Sequence, residues 1–160
     1  MSKLFGSITL QEMSGNRDLT RTVLERVKRA CEFSDGRFTL DAVVNGLAAG
    51  ELSIWGVLSG ADLTAVSISR VTPWESGLKV FEILMLGGPE HADMLPFLDR
   101  FEQPARKEGC AKIRLYGRTS WGNLSPARRG GQRHRLLPKD WRVAAVVYEK
   151  DLAPDVSRQG

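Results

Sequence analysis

The stretch 78–86, Leu-Lys-Val-Phe-Glu-Ile-Leu-Met-Leu, constrains the fold of this chain more than any other. It is apolar on both faces near its end, which suits a central strand covered on both sides. Gly87-Gly88-Pro89 breaks it. A helix is predicted over 90–108, with Leu95, Leu98, Phe101 and Ala105 as its buried stripe. Pro104 removes a hydrogen bond inside that helix and should kink or restart it. Gly109 stops it, and 111–116 reads as a short strand with Ile113 and Leu115 inward. Strand, helix and strand at this spacing predict two parallel strands joined by a right-handed crossover.

Upstream the periodicity is first helical and then alternating. Residues 1–15 are short and mixed, with a short strand over 7–10. Asn16 caps a helix whose apolar face is Leu19, Val23, Val27, Ala30 and Cys31, and Ser34-Asp35-Gly36 ends it. Thr39 caps a second helix with Leu40, Val43, Val44 and Leu47 at helical spacing, and Gly50 closes it. Leu52, Ile54 and Leu58 then alternate, Ser59-Gly60-Ala61-Asp62 reads as a hairpin turn, and 63–71 alternates again. Downstream, 119–124 suits one helical turn, 125–140 an Arg- and Gly-rich loop, and 141–149 a last strand. Residues 1–152 read as one domain and 153–160 as a mobile tail. The order is not the repeated alternation of a doubly wound nucleotide fold; it predicts an α/β chain of the α+β mixed-sheet kind.

Composition excludes few functions. With 42% hydrophobic and 26% charged residues among 160, the chain has a globular composition. A net charge of +4 permits an acidic partner, such as a phosphate-bearing cofactor or a nucleic acid, without requiring one. Cys31 and Cys110 are far apart and lack CxxC spacing, and the two histidines, His91 and His134, are too few for a metal site, so two reduced thiols and no metal are expected. No apolar run approaches a membrane span and the start lacks a long apolar leader, so a cytoplasmic location is expected.

Two segments offer ligand chemistry. Two glycines at a strand-to-helix turn let backbone N–H groups approach a phosphate, although Gly-Gly-Pro also makes a turn that binds nothing. Between 125 and 140, Arg128, Arg129, Arg133, Arg135 and Lys139 stand with Asp140 as the one acid. That loop suits the phosphates of a cofactor, a nucleic-acid backbone or an acidic protein surface; it also suits a solvated loop, and it has no interleaved aromatics to stack bases. Trp74, Trp121 and Trp141 flank strands and read as core edges or interface anchors, which leaves room for an oligomer.

The run 84–88 (Leu-Met-Leu-Gly-Gly), then 95–98 (Leu-Pro-Phe-Leu), 106–110 (Arg-Lys-Glu-Gly-Cys), 117–121 (Gly-Arg-Thr-Ser-Trp), Trp141-Arg142 and 149–152 (Glu-Lys-Asp-Leu) resembles the GNAT acyltransferase superfamily, and more narrowly the small GNAT-like proteins of tailed bacteriophages. The likeness spans residues 16–152. It implies two N-terminal helices, antiparallel strands, and a βαβ unit whose parallel strands splay to admit the pantetheine arm of acetyl-CoA. Carried over by position, Met85, Leu86, Gly87, Gly88, Glu90 and His91 would line the cofactor. The superfamily's turn carries Arg or Gln, two residues, Gly, one residue, then Gly or Ala. Here it reads Leu-Gly-Gly-Pro-Glu: the Arg or Gln is missing, Pro89 has no N–H, and Glu90 brings negative charge towards a diphosphate.

The resemblance also implies chemistry. Amine acetylation needs a base for the amine and an acid for the departing thiolate. Glu82, the one acid within an apolar strand, takes the base position, with burial expected to raise its pKa; the alternative is a carboxylate facing solvent or paired with Arg70. Tyr116, ending the next strand, takes the acid position, or is an amphipathic strand end with its hydroxyl in water. The implied function is acetyl transfer from acetyl-CoA to a small-molecule or protein amine. Its alternative is an inactive phage virion or packaging-associated protein that binds phage structural proteins, with a nucleic-acid adaptor acting through the Arg-rich loop as a third reading.

Overall fold

The computed structural model describes residues 2–34, 36–87 and 94–116, with the backbone alone of 125–126 and 133–134. Five strands form one mixed sheet in spatial order β1-β2-β3-β4-β5: β1 (Lys3–Ile8), β2 (Ser53–Ser59), β3 (Asp62–Pro73), β4 (Lys79–Gly87) and β5 (Lys112–Leu115). The first four are antiparallel neighbours, and β5 runs parallel to β4 as the spacing predicts. The weakly patterned 1–15 segment holds more structure than a strand over 7–10. It forms β1 and then a short helix, α1 (Leu10–Gly15). The start of α1 is fixed reciprocally: Thr9 Oγ1 accepts from Glu12 N at 3.1 Å while Glu12 Oε2 accepts from Thr9 N at 2.7 Å.

Helices α2 (Arg17–Glu32) and α3 (Leu40–Ala48) start at the expected caps, Asn16 and Thr39. They cover one face of the sheet. Val23, Val27, Ala30 and Cys31 of α2 and Val43 and Leu47 of α3 bury against Ile54, Val66, Ile68, Leu84 and Met85. Val44 differs from expectation and is exposed.

The other face carries an aromatic core. Phe5 stacks on Trp55 with ring centroids 5.7 Å apart, and Phe101 meets both edge-on at 4.9 and 5.3 Å. Trp55 Nε1 donates to Ser69 Oγ at 2.7 Å, so the indole is satisfied inside the layer. Leu95, Leu98, Phe101 and Ala105 supply the covering stripe as predicted.

The element that carries the stripe differs from the single helix predicted over 90–108. Residues 88–93 lie outside the described residues. From Leu95 to Phe101 the chain is a 3₁₀ helix, and only Glu102–Lys107 (α4) is α-helical. Two causes are local. The spacing Leu95, Leu98, Phe101 is three, which stacks side chains on one edge of a 3₁₀ helix. Pro104 cannot donate to the carbonyl four residues back and its ring crowds it, so an α-ladder cannot run through Arg100. The α-helix restarts with Pro104 in its first turn, where N–H groups have no helical partner.

β4 is the structural axis. Ile68 of β3 pairs with Met85 and Ser69 with Ile83, so Leu84 is an extra residue, a bulge. As a result Leu84 and Met85 both enter the α2-side core, whereas Phe81 and Ile83 face the aromatic side. This bulge is the structural origin of the two-faced apolar run. β5 accompanies β4 from Val80 to Ile83 and, among the described residues, no further; Tyr116 N donates to Ile83 O at 3.0 Å as the last rung.

The expected helical turn over 119–124, the strand over 141–149 and the tail lie outside the described residues. The 125–140 segment is not loop throughout: Ser125–Pro126 (β6) pairs antiparallel with Arg133–His134 (β7). No helix among the described residues is long and apolar enough to cross a membrane.

α2 crosses the end of β4 very closely. A Cβ built on Gly87 would lie 2.6 Å from the backbone oxygen of Arg26 and 3.2 Å from Ala30 Cβ. Backbone cannot yield as a flexible side chain does, so Gly87→Ala should cost about 1–3 kcal/mol. Gly6→Ala, whose added methyl meets nothing within 4 Å, is the control and should be near neutral. Urea unfolding of the two variants checks this; equal stabilities would refute the close approach.

Candidate functional site

The strand register brings the site together. Arg70 of β3 lies opposite Glu82 of β4, and Arg114 of β5 lies opposite Glu82 on the other side. Residues paired across strands share a face, so these three side chains and Thr72, two residues from Arg70, emerge together. Glu82 is 3% exposed. Its Oε2 accepts from Arg70 Nε at 2.8 Å and from Thr72 Oγ1 at 2.6 Å, and its Oε1 accepts from Tyr116 OH at 2.7 Å. The two residues placed by the acyltransferase resemblance, Glu82 and Tyr116, are therefore in direct hydrogen bond at the end of the parallel ladder.

The electrostatics differ from expectation. Burial does push the Glu82 carboxyl up, but hydrogen bonds from Thr72, Tyr116 and Arg70, with the charge of Arg70, outweigh it and hold the group below the usual glutamate range. The anticipated upward shift is absent because the carboxylate is charged and clasped. An ionised carboxylate offers about four acceptor positions. Among the described residues three are filled, two on Oε2 and one on Oε1 by the Tyr116 hydroxyl.

Arg114 does not join the clasp. Its guanidinium lies over the Trp74 ring, 4.8 Å from the centroid, and Lys112 Nζ lies 5.4 Å from the same centroid. Trp74, read as a core edge, is thus a platform for cations. Thr72 was missed from sequence, although its place two residues from Arg70 on an alternating strand was a usable signal.

The cofactor-lining positions divide. Met85 is buried in the α2-side core, Leu86 packs on the aromatic side, and Gly87 lies under α2. Gly88, Glu90 and His91 lie outside the described residues, as do Arg128, Arg129, Arg135 and Lys139; Arg133 is placed by its backbone alone. Gly87 is thereby explained by packing, independently of any ligand. Close to it, Arg26 of α2 donates from a terminal nitrogen to Thr64 O at 3.4 Å, while its Nε is buried without a partner. Both cysteines are free, and burial pushes both thiols up, as suits unreactive thiols. No cluster of metal-ligating side chains occurs among the described residues.

Linkage gives Glu82 a testable sign. Its folded pKa lies below the unfolded one, so its contribution is complete above the usual glutamate range and is lost as pH falls through the folded value. Urea unfolding between pH 7 and pH 3 should show wild-type stability declining more steeply than that of Glu82→Gln, with the variant the weaker at neutral pH. Parallel curves would show that the clasp contributes nothing.

No family model matches the sequence, and no curated protein is similar to it in sequence. Solved structures are similar in fold. A GNAT-family acetyltransferase of Staphylococcus aureus superposes with a TM-score of 0.55 at 10% identity, over 95% of this chain and 100% of that one. A ribosomal-protein-alanine N-acetyltransferase of Brucella melitensis biovar Abortus gives 0.52 at 12% identity, over 74% and 82%. An aminoglycoside acetyltransferase from an uncultured soil metagenomic sample, solved with sisomicin, gives 0.51 at 10% identity, over 74% and 79%. The chain accordingly has the mixed α/β fold, with a five-stranded mixed sheet, of the GNAT acetyltransferases.

Proposed function

We propose that this protein transfers an acetyl group from acetyl-CoA to an amine. The observation that carries the reading is the 2.7 Å hydrogen bond between Tyr116 OH and Glu82 Oε1, set at the last rung of the β4–β5 ladder. Beyond that rung, among the described residues, the β5-facing side of β4 from Leu84 to Gly87 has no strand partner, which suits a slot for an extended ligand. Bound acetyl-CoA would supply the thioester and carry away the thiolate.

The chain's own residues then have distinct tasks. Among the described residues Glu82 Oε1 accepts one hydrogen bond where Oε2 accepts two, so the amine's proton reaches it on Oε1, directly or through water. A carboxylate held below the usual range is a weak base, so Glu82 acts by drawing a proton along a hydrogen bond rather than by a matched pKa. Tyr116, positioned by Glu82, would turn its hydroxyl from Oε1 to protonate a departing thiolate. Arg70 and Thr72 keep the carboxylate charged and aimed.

A second reading is favoured by the same clasp: three of four acceptor positions are filled, as in a purely structural carboxylate. The protein would then bind without catalysing, as a virion or packaging-associated protein does.

Two measurements separate them. Acetyl-CoA at 100 times its Kd should stabilise the protein by about 2.7 kcal/mol, read as a rise in melting temperature. Tyr116→Phe should lower kcat about 100-fold with little change in KM for acetyl-CoA, followed by thiol release with a panel of amines. No thermal shift at millimolar acetyl-CoA would discard the enzyme; a shift without thiol release would favour the binding protein.

A further inference from the structure

We infer that the acceptor amine carries an anionic oxygen group, a carboxylate or a phosphate, and that Arg114 and Lys112, gathered on Trp74, receive it. This rests on the acetyl-transfer reading above. The pairing of β3, β4 and β5 sets Arg70, Glu82 and Arg114 side by side on one face, with Thr72, Val80 and Lys112 as the next row. An amine bound for Glu82 Oε1 crosses this face, because the other face of β4 here, Phe81 and Ile83, is the aromatic core. The face is basic. Arg70 and Glu82 neutralise one another at 2.8 Å, and Lys112 and Arg114 are left. Among the described residues no carboxylate lies within ion-pair distance of either, and Glu75, beside Trp74 in the turn, is exposed.

An aromatic surface holds the two cations. Arg114 Cζ lies 4.8 Å and Lys112 Nζ 5.4 Å from the Trp74 ring centroid. Two like charges drawn to one ring repel each other, and the ring quadrupole offsets this only in part. A guanidinium lying over a ring spends its face and keeps its N–H edge, and that edge forks onto two oxygens of a carboxylate or phosphate. Trp74 therefore holds Arg114 ready without satisfying its donors. Arg70 adds a second fork: it bonds Glu82 through Nε, its side chain is 44% exposed, and its terminal nitrogens make no bond among the described residues. One exposed cation adds little to binding; three on one face, one of them fixed over a ring, add more. Arg114 stands level with Glu82 and Lys112 one row on, about 7 Å along the strand. The amine and the anion of the acceptor are thus several bonds apart, and a polyamine meets like charge.

The test measures acetyl-CoA-dependent thiol release with ω-aminohexanoate, aminopropyl phosphate, neutral ω-aminohexanol and diaminohexane. Wild type should favour the anionic amines over aminohexanol by about 10-fold in kcat/KM, through KM, with diaminohexane the poorest. Arg114→Gln should lose that preference and keep wild-type kcat with aminohexanol; Arg114→Lys should keep part of it. Which anion gains more tells carboxylate from phosphate. Apart from turnover, the Trp74 indole N–H resonance, assigned by its loss in Trp74→Phe, should move on titration with the anionic amines and stay in place with aminohexanol. Wild type that acetylates aminohexanol as well as the anions overturns the inference and spares the enzyme. An equal loss for every amine in Arg114→Gln makes Arg114 a structural residue and also overturns it. Wild type that releases no thiol with any amine overturns both readings, even where the indole resonance moves.

Discussion

The bulge at Leu84 is the constraint on which the rest of this molecule depends. A strand with strict alternation presents one residue set to each face, but β4 must satisfy two cores and a parallel neighbour. The extra residue lets Phe81 and Ile83 serve the aromatic layer while Leu84 and Met85 both serve α2. Bulges bend the strand that carries them. Here the bulge follows directly on Ile83, the last β4 residue paired with β5 among the described residues. α2 then fits over the bent end closely enough to exclude any side chain at Gly87. The bulge and the close helix thus fall on the same end of β4.

That geometry also fixes the electrostatics. Glu82 lies just before the bulge, on a stretch that still has neighbours on both sides. It is supplied with donors from β3, from Thr72 and Arg70, and from the residue just after β5, Tyr116. A buried carboxylate with no donors would protonate. With three donors it stays charged, and the strand tolerates an acid within an apolar run. The same donors that make burial tolerable reduce basicity, so any proton transfer depends on alignment through Oε1 and Tyr116. Arg114 has the register to join this cluster and instead stacks on Trp74.

Much of this was legible in the sequence. The α2 and α3 caps, the hairpin between β2 and β3, the parallel β4–β5 pair and the stripe Leu95, Leu98, Phe101, Ala105 all follow from local chemistry that tertiary structure reinforces. Glu82 and Tyr116 could be placed on adjacent strands because strand positions are countable. What escaped depends on long-range geometry. Leu84 and Met85 on one face cannot be read from apolar residues that suit either face. Trp55 joins Phe5 and Phe101 from three distant segments, and Phe5 stands in a segment too short to show a period. The sign of the Glu82 shift was missed because burial alone predicts a rise; only the count of donors reverses it. The capping pair Thr9–Glu12 was readable and was overlooked, since the six-residue helix behind it shows no apolar face long enough to notice.

The same crowding governs what stands at the end of β4. A helix that comes within a glycine's clearance of Gly87 brings its side chains to that spot whatever they are. At 26 it brings an arginine whose Nε is buried with no partner among the described residues. Packing at the sheet and the electrostatics of the helix are therefore set together, and a substitution at Gly87 would disturb both.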